Sequence, residues 1–198
     1  MDRLSGLDAS FLYLETPAQL MHVCGLFVLD PSTMPEPYSF ARVQRQIEDA
    51  VRDVPTFTRK LRRVPLGLDH PVWVEDKDFD VDRHLHRIGL PSPGGRTELS
   101  EIDGHSASLT LFRTRPLWEM WVIENIAGTD AQNGGRIAVM TKVHHAAVDG
   151  VTGANLMSKP LWFEKFYGRV GDLIKELQPD REITVAINEW ATNLPLPR

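Results

Sequence analysis

Thr141-Lys142-Val143-His144-His145-Ala146-Ala147-Val148-Asp149-Gly150 is the stretch that decides how this chain is read. The apolar residues Ile137-Ala138-Val139-Met140 run straight into it and read as a buried strand. Two adjacent histidines then follow at the strand end, with Asp149 four residues after His145 and Gly150 next to it. An imidazole is the side chain whose unperturbed pKa already suits a general base near neutral pH. A strand end fixes such a ring against a sheet while leaving an edge open to a cleft. Asp149 has the reach to hold the local loop by an ion pair or hydrogen bonds; spacing does not say whether it touches the His145 ring. Gly150 permits a sharp turn or close backbone approach to a substrate. The spacing is HHxxxDG.

Working outward, Leu117 to Ile126 predicts a strand and Gly128 to Gly135 a polar turn, so that Arg136 to Val143 returns as the partner of a hairpin ending at His144-His145. Upstream, Leu20 to Leu29 is rich in β-formers and closes at Asp30-Pro31-Ser32. Ser39 predicts the N-cap of a helix through Val51, because Phe40, Val43, Ile47 and Val51 recur at spacings of three and four. Thr56 to Val64 and Pro71 to Glu75 predict short strands about a Pro65-Leu66-Gly67 turn, and Asp80 to Arg87 a short segment before the Pro91 to Gly95 loop. Glu98 to Ser108 predicts a helix with Leu99, Ile102 and Ser106 on one face. The order implies an α/β layered fold with a mixed sheet rather than an alternating Rossmann unit. After Met157 the character changes: Trp162, Phe163, Phe166, Tyr167, Val170, Leu173, Ile174 and Leu177 form an apolar stripe at helical spacing, facing either core or membrane.

Composition bounds the partners. The chain has 198 residues, 42% hydrophobic and 25% charged, enough for one domain or one lobe of a larger enzyme. A net charge of −5 argues against a nucleic-acid partner. The single Cys24 cannot form an internal disulfide, and Met1 to Ser5 shows no secretory signal, so a cytoplasmic location is expected. No apolar run reaches the roughly 20 residues of a membrane span. Contact with a membrane would come from the surface.

A lone His-His pair is more often structural than catalytic. The register with Asp149 and Gly150 favours the base reading here. A metal site would need at least three ligands in coherent geometry, and His84, His86 and His105 offer no such spacing, so no metal is expected. His22 and His70 read as surface or core residues, Trp118 and Trp121 as strand packing. The Arg59-Lys60-Leu61-Arg62-Arg63 run reads as a solvated strand face, with the phosphates of coenzyme A as the sharper alternative.

Four segments together resemble the N-terminal half of the wax ester synthase/diacylglycerol acyltransferase family, of the actinobacterial kind. They are Leu7 to Pro17 with Met21-His22-Val23; Phe79 to Leu85 leading to Leu90-Pro91; Arg115-Pro116-Leu117-Trp118 running to Glu124; and His144 to Gly150. HHxxxDG alone would also fit condensation domains of peptide synthetases; the other three segments make the lipid reading specific. The family's usual Pro-Leu-Asp-Arg before its PLW motif is replaced by Thr110-Leu111-Phe112-Arg113, which loses an acidic residue.

The resemblance implies one lobe of the coenzyme-A-dependent, chloramphenicol acetyltransferase-like fold over residues 1–157, with 158–198 a divergent tail carrying an amphipathic helix. It implies transfer of a fatty acyl group from acyl-coenzyme A, as co-substrate and without a further cofactor, to diacylglycerol or a long-chain alcohol. His145 is the implied base, with His144 supporting it and Asp149 chiefly structural. Gly150 shapes the site, and Pro116, Leu117 and Trp118 shape an acyl or acceptor channel. Cytoplasmic location, at the inner face of the membrane or on lipid inclusions, follows as an expectation, as does a separate second lobe or homo-oligomer. The rival readings are a condensation-type or polyketide-associated acyltransferase with a carrier-bound donor, and a non-catalytic lobe that binds lipid or needs a second lobe.

Overall fold

The computed structural model describes residues 2–31, 37–52, 54–127 and 135–148. Asp149, Gly150 and the tail helix read over 162–177 lie outside the described residues. In chain order the elements are β1 (Asp2–Arg3), α1 (Gly6–Leu14), β2 (His22–Leu29), α2 (Phe40–Arg52), α3 (Pro55–Thr58), β3 (Arg59–Arg62), β4 (Val72–Glu75), β5 (Leu85–Gly89), α4 (Arg96–Ser108), β6 (Trp118–Ile126), β7 (Arg136–His144) and α5 (His145–Val148). Single 3-10 turns cover Pro65–Gly67 and Val81–Arg83.

Two sheets result. The larger is ordered β2-β7-β6-β5 and is mixed, because β5 joins β6 in parallel while the other pairs are antiparallel. The smaller is ordered β1-β4-β3 and is antiparallel throughout. Strand β7, buried from Ile137 to His144, is paired with β2 and β6 along its edges and packed over on both faces, and its sequence is accordingly mostly apolar. One face, with Phe27, Leu29, Val122, Val139 and Val143, shares a core with Val43, Ile47 and Val51 of α2. The other, with Ile123, Ala138 and Met140, packs with Leu99 and Ile102 of α4.

The helices start where their sequence dictates. The Ser5 hydroxyl accepts from the Asp8 N–H at 3.1 Å and caps α1. The Ser39 carbonyl takes the Val43 N–H at 3.2 Å, so α2 begins at the expected place. For α4, the Glu98 carboxylate accepts from the Gly95 N–H at 2.7 Å. The helix therefore opens at Arg96, ahead of the Glu98 start expected from the sequence. One expectation is corrected: Thr56-Phe57-Thr58 is not strand but the helical turn α3, opened by Pro55 at its first position. Its purpose is packing, since it delivers the Phe57 ring edge-on to Trp118 at 5.5 Å.

Lys142 of β7 is 0% exposed in its side chain and pairs with Glu119 directly across on β6, Nζ to Oε2 2.9 Å. The same ammonium donates to the Ser106 and Leu109 carbonyls, both at 3.0 Å. A helix leaves its last carbonyls unpaired, and a cation there meets both the hydrogen-bonding need and the dipole. Lys142 thus pins the C-terminal end of α4 to the sheet. Lys142→Met would strand a buried carboxylate and two carbonyls, and should cost about 3–5 kcal/mol in urea unfolding; unchanged stability would show that the ammonium is not the pin.

Candidate active site

The histidine pair straddles the end of β7, and the two residues have different surroundings. His144 is 1% exposed. Its backbone N–H donates to the Leu117 carbonyl at 3.0 Å, and its Nδ1 accepts the Ala146 N–H at 3.0 Å. The neutral ring therefore carries its proton on Nε2, which lies 3.4 Å from Glu15 Oε1. That approach is too poorly aligned to count as a hydrogen bond, and it becomes an ion pair only when the ring is protonated. Burial is the main cause that pulls the His144 pKa down to about 4; Glu15 opposes the fall, while Arg113, His22 and His145 add to it. His144 is neutral and committed to the fold at physiological pH.

His145 opens α5 and is half-buried. Its ring stacks on Phe11 of α1, centroids 4.9 Å apart and planes 20° apart. Its N–H donates to the Met21 carbonyl at 2.9 Å. Helix α1 and the entry to β2 thereby hold one face and the backbone of His145.

Glu15 closes the arrangement, and nothing in its local sequence marks that part. Its side chain is 8% exposed, at the C-terminal cap of α1. Arg113 Nη2 donates to Glu15 Oε2 at 2.8 Å and to the Leu12 carbonyl at 2.7 Å. The Met21 N–H reaches Oε1 at 3.4 Å. Burial alone would raise the Glu15 pKa; the Arg113 hydrogen bond, His144, Met21 and the Arg113 charge outweigh it, so the carboxylate titrates below its usual range. The arginine kept in the altered Thr110 to Arg113 segment is thus the counter-ion of this carboxylate, while Phe112 beside it is exposed.

Pro116, Leu117 and Trp118 lie in the core, with fully buried side chains. Leu117 offers the carbonyl that holds His144. Trp118 Nε1 donates to the Phe57 carbonyl at 2.9 Å, and the Trp118 ring stacks on His84, centroids 4.6 Å apart. His84 Nδ1 in turn meets the Trp118 carbonyl at 2.8 Å. The Phe79 to Leu85 and PLW segments are therefore one packed unit beneath the strand that carries the histidines. Among the described residues these three side chains present no surface to a ligand; their influence on a channel would be exerted through the backbone they hold. Cys24 is half-buried, and burial pushes its thiol up to about 12, which leaves it protonated and unsuited to nucleophilic attack.

The fold recurs in solved proteins. A starter condensation domain of rhizomide synthetase aligns with a TM-score of 0.60 over 92% of this chain and 39% of its own, at 10% identity, a likeness of fold alone. The wax ester synthase/diacylglycerol acyltransferase of Marinobacter aquaeolei VT8 aligns with a TM-score of 0.58 over 76% of this chain and 36% of its own, at 33% identity. The fold is that of the coenzyme-A-dependent acyltransferases. The wax ester synthase/diacylglycerol acyltransferase catalytic domain matches residues 4–183, and the chain belongs to that family. A Mycobacterium tuberculosis protein (strain ATCC 25618 / H37Rv) named as a diacylglycerol O-acyltransferase is 55% identical over 158 residues, 80% of this chain and 30% of that protein. Another from the same strain, named tgs3, is 38% identical over 150 residues, 76% of this chain and 52% of that protein. The chain thus spans less than a third of the former relative and about half of the latter.

His22, His84, His86 and His144 all have pKa values lowered from 6.5, in each case chiefly by burial. The unfolded chain then binds protons that the folded chain refuses, so stability falls as pH drops from about 6.5 toward 4. The raised pKa of Asp103 works against this trend, and the lowered pKa of Glu15 adds to it at the acid end. Thermal unfolding should therefore show a lower melting temperature at pH 5 than at pH 7, with a shallower fall in His144→Gln. A melting temperature flat across that range would contradict the buried, neutral state of these rings.

Proposed function

We propose that the chain carries the base-bearing lobe of an O-acyltransferase. The reaction moves a fatty acyl group from acyl-coenzyme A to the hydroxyl of diacylglycerol, or of a long-chain alcohol. The observation that carries this reading is the division between the two histidines: His144 is sealed and neutral, while the His145 ring, stacked on Phe11, is only half-buried. Family membership supplies the reaction class.

In this reading His145 takes the acceptor's proton as its oxygen attacks the thioester carbonyl. The tetrahedral intermediate collapses, the C–S bond breaks, and the imidazolium returns the proton to the departing thiolate. No covalent acyl-enzyme is needed, and the raised Cys24 pKa favours direct transfer. His144 acts through position: it joins Glu15 and Arg113 to the strand end and fixes the backbone from which His145 projects. Asp149 is proposed to hold the loop after the motif and Gly150 to shape the site. Acyl-coenzyme A serves as co-substrate, and no other cofactor is invoked. Among the described residues no helix is long and apolar enough to cross a membrane, which accords with peripheral residence at the inner face of the membrane or on lipid inclusions.

A second reading has its own observation. Because the chain spans less than a third of a relative 55% identical to it, it also fits a non-catalytic lobe that works only with a second lobe, supplied separately or by another copy. Turnover of acyl-coenzyme A with diacylglycerol and with a long-chain alcohol separates the two. In an active chain, His145→Ala should lose on the order of 10²–10⁴-fold in turnover, and His144→Ala should lose less activity but more thermal stability. A folded His145→Ala protein with full turnover would end the general-base reading. An inactive parent, restored by a separately supplied second lobe, would establish the other.

A further inference from the structure

The turn between β3 and β4 is built against ordinary turn chemistry. The Gly67 N–H closes onto the Val64 carbonyl at 3.1 Å. The third residue of that turn, Leu66, has φ 60° and ψ 8°. A tight turn with φ above zero at this place calls for glycine or asparagine, because a larger side chain crowds the backbone there. A leucine is held instead, and its side chain does not pack on the protein: Leu66 is 94% exposed and Leu68 is 80% exposed. Strain and solvation both oppose this residue in water. Both are tolerated where the side chain has a destination outside the molecule.

Charge names the destination. Arg3, Arg59 and Lys60 in this small sheet are neutralised by Asp69, Asp2 and Asp76 respectively. Arg62 and Arg63, at the base of the leucine turn, are exposed and make no ion pair with any described residue. In a chain of net charge −5 this is a local cationic site beside an apolar tip. We propose that the turn docks the protein on an anionic lipid bilayer, with Leu66 and Leu68 entering the acyl boundary and Arg62 and Arg63 lying on the phosphates. The run from Arg59 to Arg63 is then a lipid-facing element rather than a merely solvated strand.

The same turn connects to the histidine site through α1. Tyr13 reaches His70, just beyond the turn, with its hydroxyl 3.0 Å from Nδ1, and Phe11 of that helix covers the His145 ring. If the acyl-transfer reading holds, docking places the wall of the site beside the phase that stores a lipid acceptor. Docking itself does not depend on that reading.

The test is sedimentation of the full 198-residue chain with vesicles of phosphatidylcholine, with and without phosphatidylglycerol. The parent should bind vesicles that contain phosphatidylglycerol. Leu66→Ser/Leu68→Ser should weaken partitioning about tenfold or more. Arg62→Ser/Arg63→Ser should weaken it about tenfold on anionic vesicles alone. Leu66→Gly should weaken binding while raising the melting temperature, since it relieves the turn; this separates loss of docking from loss of fold. A parent that ignores vesicles, variants that bind like the parent, or a self-association lost in the leucine variants in place of vesicle binding would each overturn the proposal.

Discussion

The carboxylate of Glu15 is the point where four distant pieces of chain meet: the end of α1, the entry to β2, the segment before the PLW residues and the end of β7. A buried carboxylate is unfavourable by itself, and it persists here because Arg113 lies 2.8 Å away and His144 and the Met21 N–H face its other oxygen. Each partner is fixed in turn, Arg113 by the Leu12 carbonyl and His144 by the Leu117 carbonyl and the Ala146 N–H. The network leaves the cluster few ways to rearrange. That is the condition under which the His144 imidazole can be held in one place at the sheet end.

A second buried ion pair plays the matching part further along the same face of the sheet. Lys142 precedes His144 by two residues in β7, so the two side chains share a face. Lys142 carries the end of α4 and His144 meets the end of α1, which makes β7 the common support for both helix termini. Cross-strand register extends this to β2, where His22 stands opposite His144 and Cys24 opposite Lys142. His22 Nε2 reaches the Ala107 carbonyl of α4 at 2.7 Å. The polar residues in this row look out of place in an apolar strand read alone; in the sheet, most have a helix end or a neighbouring strand to satisfy.

Local periodicity made α2, α4 and the β6–β7 hairpin legible, because their apolar spacing matches the face each buries. At Thr56 to Thr58 the β-branched residues carry a strand preference that Pro55 and the packing of Phe57 against Trp118 override. The insertion of β7 between β2 and β6 could not be read, as nothing local records a pairing between segments so far apart. Glu15 was invisible for the same reason. It lies in the segment from Leu7 to Pro17, yet its partner Arg113 is 98 residues away in sequence. The strand end at the histidine pair, by contrast, is legible: β7 ends and α5 begins between His144 and His145.

That boundary explains why adjacent histidines end in different environments. Had the strand continued, neighbouring side chains would simply have alternated between the two faces of the sheet, and His145 would have been drawn into the core that holds Val143. The turn into α5 breaks the alternation, and the Ala146 N–H that closes it bonds back to His144 Nδ1. His144 thus uses one ring nitrogen to hold the turn and directs the other at Glu15. A residue so committed is poorly placed to exchange protons with a substrate, yet without it the chain would not leave the sheet where it does. The pair is best understood as one device, in which the buried ring spends its chemistry on geometry while the ring beside it, stacked on Phe11, stays at the margin of the core.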